Sequence, residues 1–334
     1  MMRIHYDAMK AQFQRVLNGL GFKEERAELC ARLFADNSRD GVYSHGLNRF
    51  PSFVDSVRRG LIAIDAEPVK VDGMGAIERW DGQMGPGMIN ASRSMERAVA
   101  LAREHGMGCV ALRNTNHWMR AGSYGLLAAE AGCIGICWTN TIANIPPWGG
   151  KERKVGNNPI VLAVPGNGYP IVLDAALSQF SFGQLQSYTL RNEQLPVDGG
   201  YDKAGNPTRD PSAIMESGRV LPIGFWKGTG MSLLLDLIGM MLSGGKSTYD
   251  ITQAGRSEYG VTQVFIAFDP SAFQDGTPPD KIDEILRDYQ SAELAEGFDD
   301  IRYPSGDMRR RREENMRSGI PVEPSIWEQV LNMA

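Results

Sequence analysis

The chain has 334 residues, 42% of them hydrophobic and 22% charged, which suits a globular protein able to bury a large core without disulfide or metal staples. Forty acidic against 35 basic residues give a formal net charge of −5, which excludes a generally basic nucleic-acid surface. An anionic substrate must then be attracted by a local cluster of positive groups.

The amino-terminal run Met1-Met2-Arg3-Ile4-His5-Tyr6-Asp7 lacks the apolar core of a signal peptide. Apolar residues at Met9, Phe13, Val16, Leu17 and Leu20, then at Ala27, Cys30, Leu33 and Phe34, predict two helices with their turn between Gly19 and Gly21. A further helix is expected over Met88–Glu104. Short strand-like runs follow at Cys109–Leu112, Ile134–Trp138, Ile160–Val164, Ile171–Leu173 and Val261–Phe268, bounded by Gly, Pro and Asn. Residues 194–211 read as an exposed loop. Met231–Leu242 is apolar almost all round, so it is expected to be a helix buried against the sheet; Asp236 and Gly239 interrupt it well short of a membrane span. Ile282, Ile285, Leu286 and Tyr289 return to helical spacing. The fold class is therefore α/β (α+β), with residues 1–72 and 281–334 as a helical terminal lobe and 73–280 as a central sheet lobe carrying the cleft. A cytoplasmic protein with no membrane contact is expected.

Four cysteines stand at positions 30, 109, 133 and 137. Cys133-Ile-Gly-Ile-Cys137 lacks metal-ligand spacing, and no metal site is expected; buried reduced thiols are. Two glycine-rich runs resemble nucleotide loops and fail. Gly228-Thr-Gly230 has Leu233 where a Rossmann fingerprint needs its third Gly. Ser243-Gly-Gly-Lys246-Ser247 has Met240 where a P-loop needs its first Gly, and it follows a helix rather than a strand.

Three segments concentrate polar groups suited to an acid substrate. In Gly41-Val-Tyr-Ser44-His45-Gly46-Leu-Asn48-Arg49 a histidine able to donate a proton lies four residues from an arginine whose planar fork suits a carboxylate, and Ser44 is placed to orient either. The same residues fit a helix-start cap and a surface ion pair. In Asn114-Thr-Asn116-His117-Trp118, just past a strand, Asn116 and His117 offer hydrogen bonds to keto or hydroxyl oxygens, and equally fit a helix cap. Trp138-Thr139-Asn140-Thr141 and Pro146-Pro147-Trp148-Gly149-Gly150 form the third, with tryptophans that either wall a ring or pack in the core.

Taken in order, Tyr43-Ser-His45-Gly-x-x-Arg49, Asn116-His117, Asn140-Thr141, Pro147-Trp148-Gly149-Gly150 and Trp226-Lys227-Gly228-x-Gly230 resemble the malate/L-lactate dehydrogenase family of the non-Rossmann, L-sulfolactate-dehydrogenase-like type. The resemblance runs from about residue 3 to the carboxyl terminus. It implies a homodimer with a mainly antiparallel sheet and a nicotinamide site lacking the Rossmann fingerprint. It also implies that His45 is the proton donor toward a small keto sugar acid, that Asp174 lies near it to hold its ring or raise its pKa, and that Ser44, Arg49, Asn116 and His117 bind substrate. Cofactor contacts are implied at Asn140, Thr141, Pro170, Ile171, Val172, Leu173, Asp174, Ala175, Ala176, Trp226, Lys227, Gly306, Asp307 and Met308. This sequence departs from many relatives in reading Asp174-Ala-Ala-Leu-Ser178 and in carrying Asp307 where they have Glu. Arg309–Arg312 read as a solvated helix face rather than a 2′-phosphate site, and a carboxylate at 307 favours a ribose diol, so NADH is expected over NADPH.

Overall fold

The computed structural model describes residues 2–255, 258–273 and 279–333. Both ends of the chain meet in a two-stranded ribbon, β1 (Arg3–Ile4) against β11 (Ile320–Pro321). Helices α1 (Tyr6–Gly19) and α2 (Glu24–Arg39) form the expected hairpin; two 3-10 turns (Tyr43–His45 and Leu47–Arg49) then lead into α3 (Phe50–Arg58). Their apolar stripes close on α12 (Pro324–Leu331) around Phe13, Phe34, Phe50 and Trp327, with Phe13 stacked on Phe50 at 4.3 Å between centroids.

The central sheet has seven strands: β2 (Val69–Met74), β3 (Ile77–Asp81), β4 (Met107–Asn116), β5 (Ile134–Thr139), β6 (Ile160–Val164), β7 (Ile171–Ala175) and β10 (Tyr259–Phe268). Their order is β2-β3-β4-β10-β5-β6-β7, and β3–β4 is the one parallel pairing. One face is covered by α4 (Gly87–His105) and α5 (Gly122–Glu130) over a core that includes Val110, Leu112, Trp118, Tyr124 and Phe265. All four cysteines are buried free thiols, Cys133 and Cys137 both in this core. The expected terminal boundary at residue 72 falls inside β2, whose pairing with β3 makes it part of the sheet.

Beyond β7 come α6 (Phe182–Arg191), the hairpin β8 (Gly200–Tyr201) with β9 (Pro207–Thr208), and α7 (Pro211–Ser217). Residues 194–211 are thus not simply an exposed loop: Leu195 is buried in a small core with Phe180, Leu185, Ile214 and Val220. Then α8 (Trp226–Ser243) and α9 (Thr248–Gln253) precede β10, and α10 (Pro279–Gln290) and α11 (Gly306–Ser318) precede β11.

The helix expected over Met231–Leu242 packs on the sheet, but only along one face. Toward the sheet α8 turns Ser232, Leu235, Asp236, Gly239 and Ser243, and it leaves Met231, Leu234, Leu237, Ile238 and Met241 exposed. Close approach explains the inward set. A Cβ on Gly239 would come within 3.3 Å of Thr262 Cγ2 and 3.5 Å of Trp138 Nε1, so a larger side chain at 239 would push the helix off the sheet. Trp138 Nε1 donates to the Leu235 carbonyl at 3.0 Å, which makes Trp138 a core residue and not a wall of the cleft.

Candidate active site

His45 is delivered by the end of α2. Asn37 Nδ2 donates to the His45 carbonyl at 2.9 Å, and the amide of Leu47 donates to Ser38 Oγ at 2.8 Å. Both α2 side chains are fully buried, so the turn is held from beneath. Gly46 is required at its centre: a Cβ there would lie 2.2 Å from Ser38 Oγ and 2.8 Å from the Ser38 nitrogen. The His45 ring is itself tethered, with Ser44 Oγ 3.0 Å from Nδ1.

His117 comes from the other direction, one residue past the end of β4. The Met119 amide donates to His117 Nδ1 at 2.9 Å, so the neutral ring carries its proton on Nε2. The His45 and His117 rings stack nearly parallel, 5.7 Å apart at an interplanar angle of 14°. Opposite them stands Glu258, which sequence reasoning missed. Antiparallel pairing sets Tyr259 of β10 across from Asn116 of β4, so the residues just outside the ladder, 258 and 117, face each other. Glu258 Oε2 lies 3.4 Å from His117 Nε2 and 3.5 Å from Arg49 Nη2. Arg49, His45 and His117 are therefore brought together as expected, with an added carboxylate.

The electrostatics follow from this packing. Desolvation, aided by the neighbouring His117 and by the positive charge of Arg49, lowers His45 to about 3. Burial, again with Arg49, lowers His117 well below the ordinary histidine value. Burial raises Glu258 against the opposing pull of Arg49 and His45. Burial therefore favours the neutral form of both rings near pH 7.

Asp174 lies elsewhere. Its Oδ2 accepts the Gly122 amide at 2.7 Å, and its carboxyl is raised by desolvation against Arg120 and that hydrogen bond, although the residue as a whole is exposed along the edge strand. Glu258, not Asp174, is the carboxylate that acts to raise His45, and the His45 ring is held by Ser44. The expected Asp174–His45 partnership is corrected on both counts. Asp174 instead faces the region of a buried cluster in which Asp40 accepts from Arg120 at 2.8 Å, from Arg312 at 2.8 and 2.7 Å, and from Arg39 at 2.9 Å. Burial pulls Asp40 upward, and Arg312, Arg120 and Arg39 overcome it, holding the carboxyl at about 2.

Three residues expected to bind ligands are committed to the scaffold. Asn116 Nδ2 donates to the carbonyls of Met84 at 2.7 Å and Gly85 at 3.0 Å, pinning the strand end that carries His117. Asn140 bonds Asp236, the Lys246 carbonyl and the Thr262 amide, each at 2.8 Å, and Thr141 bonds Asn157 and Asn158. All three are buried, and the Asn116 and Asn140 amide nitrogens and the Thr141 hydroxyl are bonded inside the fold.

The remaining cofactor candidates gather along the outer edge of β7. The Val172 amide donates to Ser305 Oγ at 2.7 Å, which sets Gly306, Asp307 and Met308 at the start of α11 beside Pro170–Ala176. Met308 lies against Arg120, while Asp307 is drawn into an ion pair with Arg310 at 2.8 Å. Past β7, the Ile223 amide donates to the Leu177 carbonyl at 2.9 Å, bringing up the start of α8 with Trp226 and Lys227 exposed. The hydroxyls of Tyr169 and Ser178, on either side of β7, are buried without a hydrogen-bond partner among the described residues. A sheet edge flanked by two helix amino-termini, with donors in reserve, fits an anionic dinucleotide.

The profile of the malate/L-lactate dehydrogenase family matches residues 4–331. A 2,3-diketo-L-gulonate reductase of Escherichia coli is 46% identical over 330 residues, covering 98% of this chain and 99% of that protein. One from Citrobacter koseri is 46% identical over 331 residues, with the same coverage. Among solved structures, sulfolactate dehydrogenase from Methanocaldococcus jannaschii superposes with a TM-score of 0.88 at 31% identity, covering 99% of this chain and 96% of that one. Delta1-piperideine-2-carboxylate reductase from Pseudomonas syringae superposes with a TM-score of 0.87 at 26% identity over the whole of both chains. The chain belongs to the malate/L-lactate dehydrogenase family.

Proposed function

We propose that this protein reduces 2,3-diketo-L-gulonate at its C2 keto group to 3-keto-L-gulonate with NADH, His45 giving the proton. The observation that carries the reading is the His45–His117 stack beside Arg49, in a chain 46% identical over nearly its full length to reductases of that name. Pro170–Ala176 along β7, Gly306, Asp307 and Met308 at the start of α11, and Trp226 and Lys227 would hold a nicotinamide, which would supply the hydride.

The residues of the chain do the rest. Arg49 binds the substrate carboxylate. His117, with its Nδ1 engaged by the Met119 amide, offers Nε2–H to a keto or hydroxyl oxygen. Because Ser44 engages His45 Nδ1, Nε2 is the nitrogen that gives up the proton to the developing alkoxide. Reduction needs His45 as the imidazolium, whereas burial lowers its pKa to about 3. A substrate carboxylate on Arg49 offsets one of the charges that lower it, so substrate binding moves His45 toward the imidazolium.

NADH is favoured over NADPH because Arg309, Arg310 and Arg312 are already paired with Glu313, Asp307 and Asp40. A homodimer is supported by the outward face of α8, whose exposed Met231, Leu234, Leu237, Ile238 and Met241 form one apolar stripe. The four free thiols suit a reducing compartment, the cytoplasm. No helix among the described residues is long and apolar enough to cross a membrane. An alternative within the same fold, reduction of another 2-keto acid or of a cyclic imine acid, draws on the likeness to the piperideine-2-carboxylate enzyme.

NADH and NADPH oxidation followed across a panel of keto acids tests the reading, with His45→Ala as control. Turnover should fall by about 10²–10⁴-fold with cofactor affinity unchanged. Full activity in that variant would refute the proton-donor assignment.

A further inference from the structure

Glu258 takes no part in the proton transfer described above, yet its carboxylate stands against both Arg49 and His117. Its Oε2 makes two long end-on contacts, 3.5 Å to Arg49 Nη2 and 3.4 Å to His117 Nε2, and the side chain is 21% exposed. Neither contact is the parallel two-bond fork in which a guanidinium is fully used. Arg49, 41% exposed, therefore keeps donors for a second carboxylate while already holding one. Arg49 and Glu258 thus form an opposite-charge pair at the point where a substrate carboxylate is received.

This sets the charge class of what can bind. A keto monocarboxylate adds one negative charge, shared through Arg49. A dicarboxylate adds a second, beside a carboxylate in a partly desolvated cleft where like charges repel more strongly than in water. Hydroxyl groups on the tail are instead donors that a carboxylate accepts. We propose that Glu258 is a specificity-determining residue that admits monoanionic keto acids with a hydroxyl-bearing tail and rejects dicarboxylates. The proposal rests on the keto-acid reading above.

The test compares kcat/KM with NADH for 2,3-diketo-L-gulonate and oxaloacetate in the wild type, Glu258→Gln and Glu258→Asp. In parallel, calorimetry gives Kd for gluconate and for glucarate, a pair that differs at one end in whether a carboxylate is present. Glu258→Gln should shift both ratios toward the dianion by at least about tenfold, and Glu258→Asp should keep each within about threefold of wild type. Glu258→Ser replaces Glu258→Gln if the latter does not fold. Ratios unchanged in the charge-removing variant overturn the proposal. If the wild type reduces neither keto acid, the reading of function fails by itself, and the gluconate–glucarate ratio still decides the role of Glu258.

Discussion

Asp40 gathers Arg120, Arg312 and Arg39 into one buried cluster, and Asp40→Asn measures what its charge contributes. The variant keeps the shape and removes the charge on which Arg120, Arg312 and Arg39 converge, at a position whose side chain is 1% exposed. A carboxyl held at about 2 instead of 3.8 corresponds to roughly 2.5 kcal/mol of stability at neutral pH. Leaving buried guanidinium groups without their partner typically costs about 3–5 kcal/mol. We expect a loss of about 3 kcal/mol in urea unfolding followed by circular dichroism at fixed protein concentration. The folded-state pKa is depressed, so the contribution is complete above the unfolded value and is lost only as pH falls through about 2. The difference between wild type and variant should therefore stay constant from about pH 8 to pH 5. Arg312 ties α11 to α2, and Ser305 ties its start to β7, so KM for NADH should rise by a larger factor than kcat falls. A loss below about 1 kcal/mol, or a difference that changes between pH 8 and 5, would refute the reasoning.

Gly46→Ala places a methyl group 2.2 Å from Ser38 Oγ and 2.8 Å from the Ser38 nitrogen, so the turn must shift to accept it. It should cost about 1–3 kcal/mol in the same unfolding assay and lower kcat by shifting His45; wild-type kcat in a stable variant would contradict this. Because His45 sits at about 3 in the empty site, binding an anionic substrate analogue near pH 7 should take up protons. Calorimetry in buffers of different ionisation enthalpy measures that uptake, which should vanish in His45→Ala. Leu234→Glu and Met241→Lys, on the outward face of α8 at 58% and 69% exposure, should convert a dimer to a monomer in light scattering. A dimer unchanged in both variants would place the interface elsewhere.

Periodicity alone determined much of this molecule. The α1–α2 hairpin, α4, the centres of five strands and the burial of the four cysteines were legible because apolar spacing follows the geometry of a single element. So were the pairing of His45 with Arg49 and the absence of a Rossmann loop, both local in sequence. Other features required the tertiary structure. Glu258 lies 141 residues from His117 and meets it only through the β4–β10 register, which no local pattern encodes. The solvation of α8 could not be read from its composition, since most of its large apolar residues face outward while Ser232, Asp236, Gly239 and Ser243 face the sheet. Asn116, Asn140 and Thr141 look like ligand-binding groups until their partners, most of them distant in sequence, are seen to use them up. A polar side chain's chemistry is written in the sequence; whether that chemistry is free to act depends on which groups the fold brings within hydrogen-bond reach.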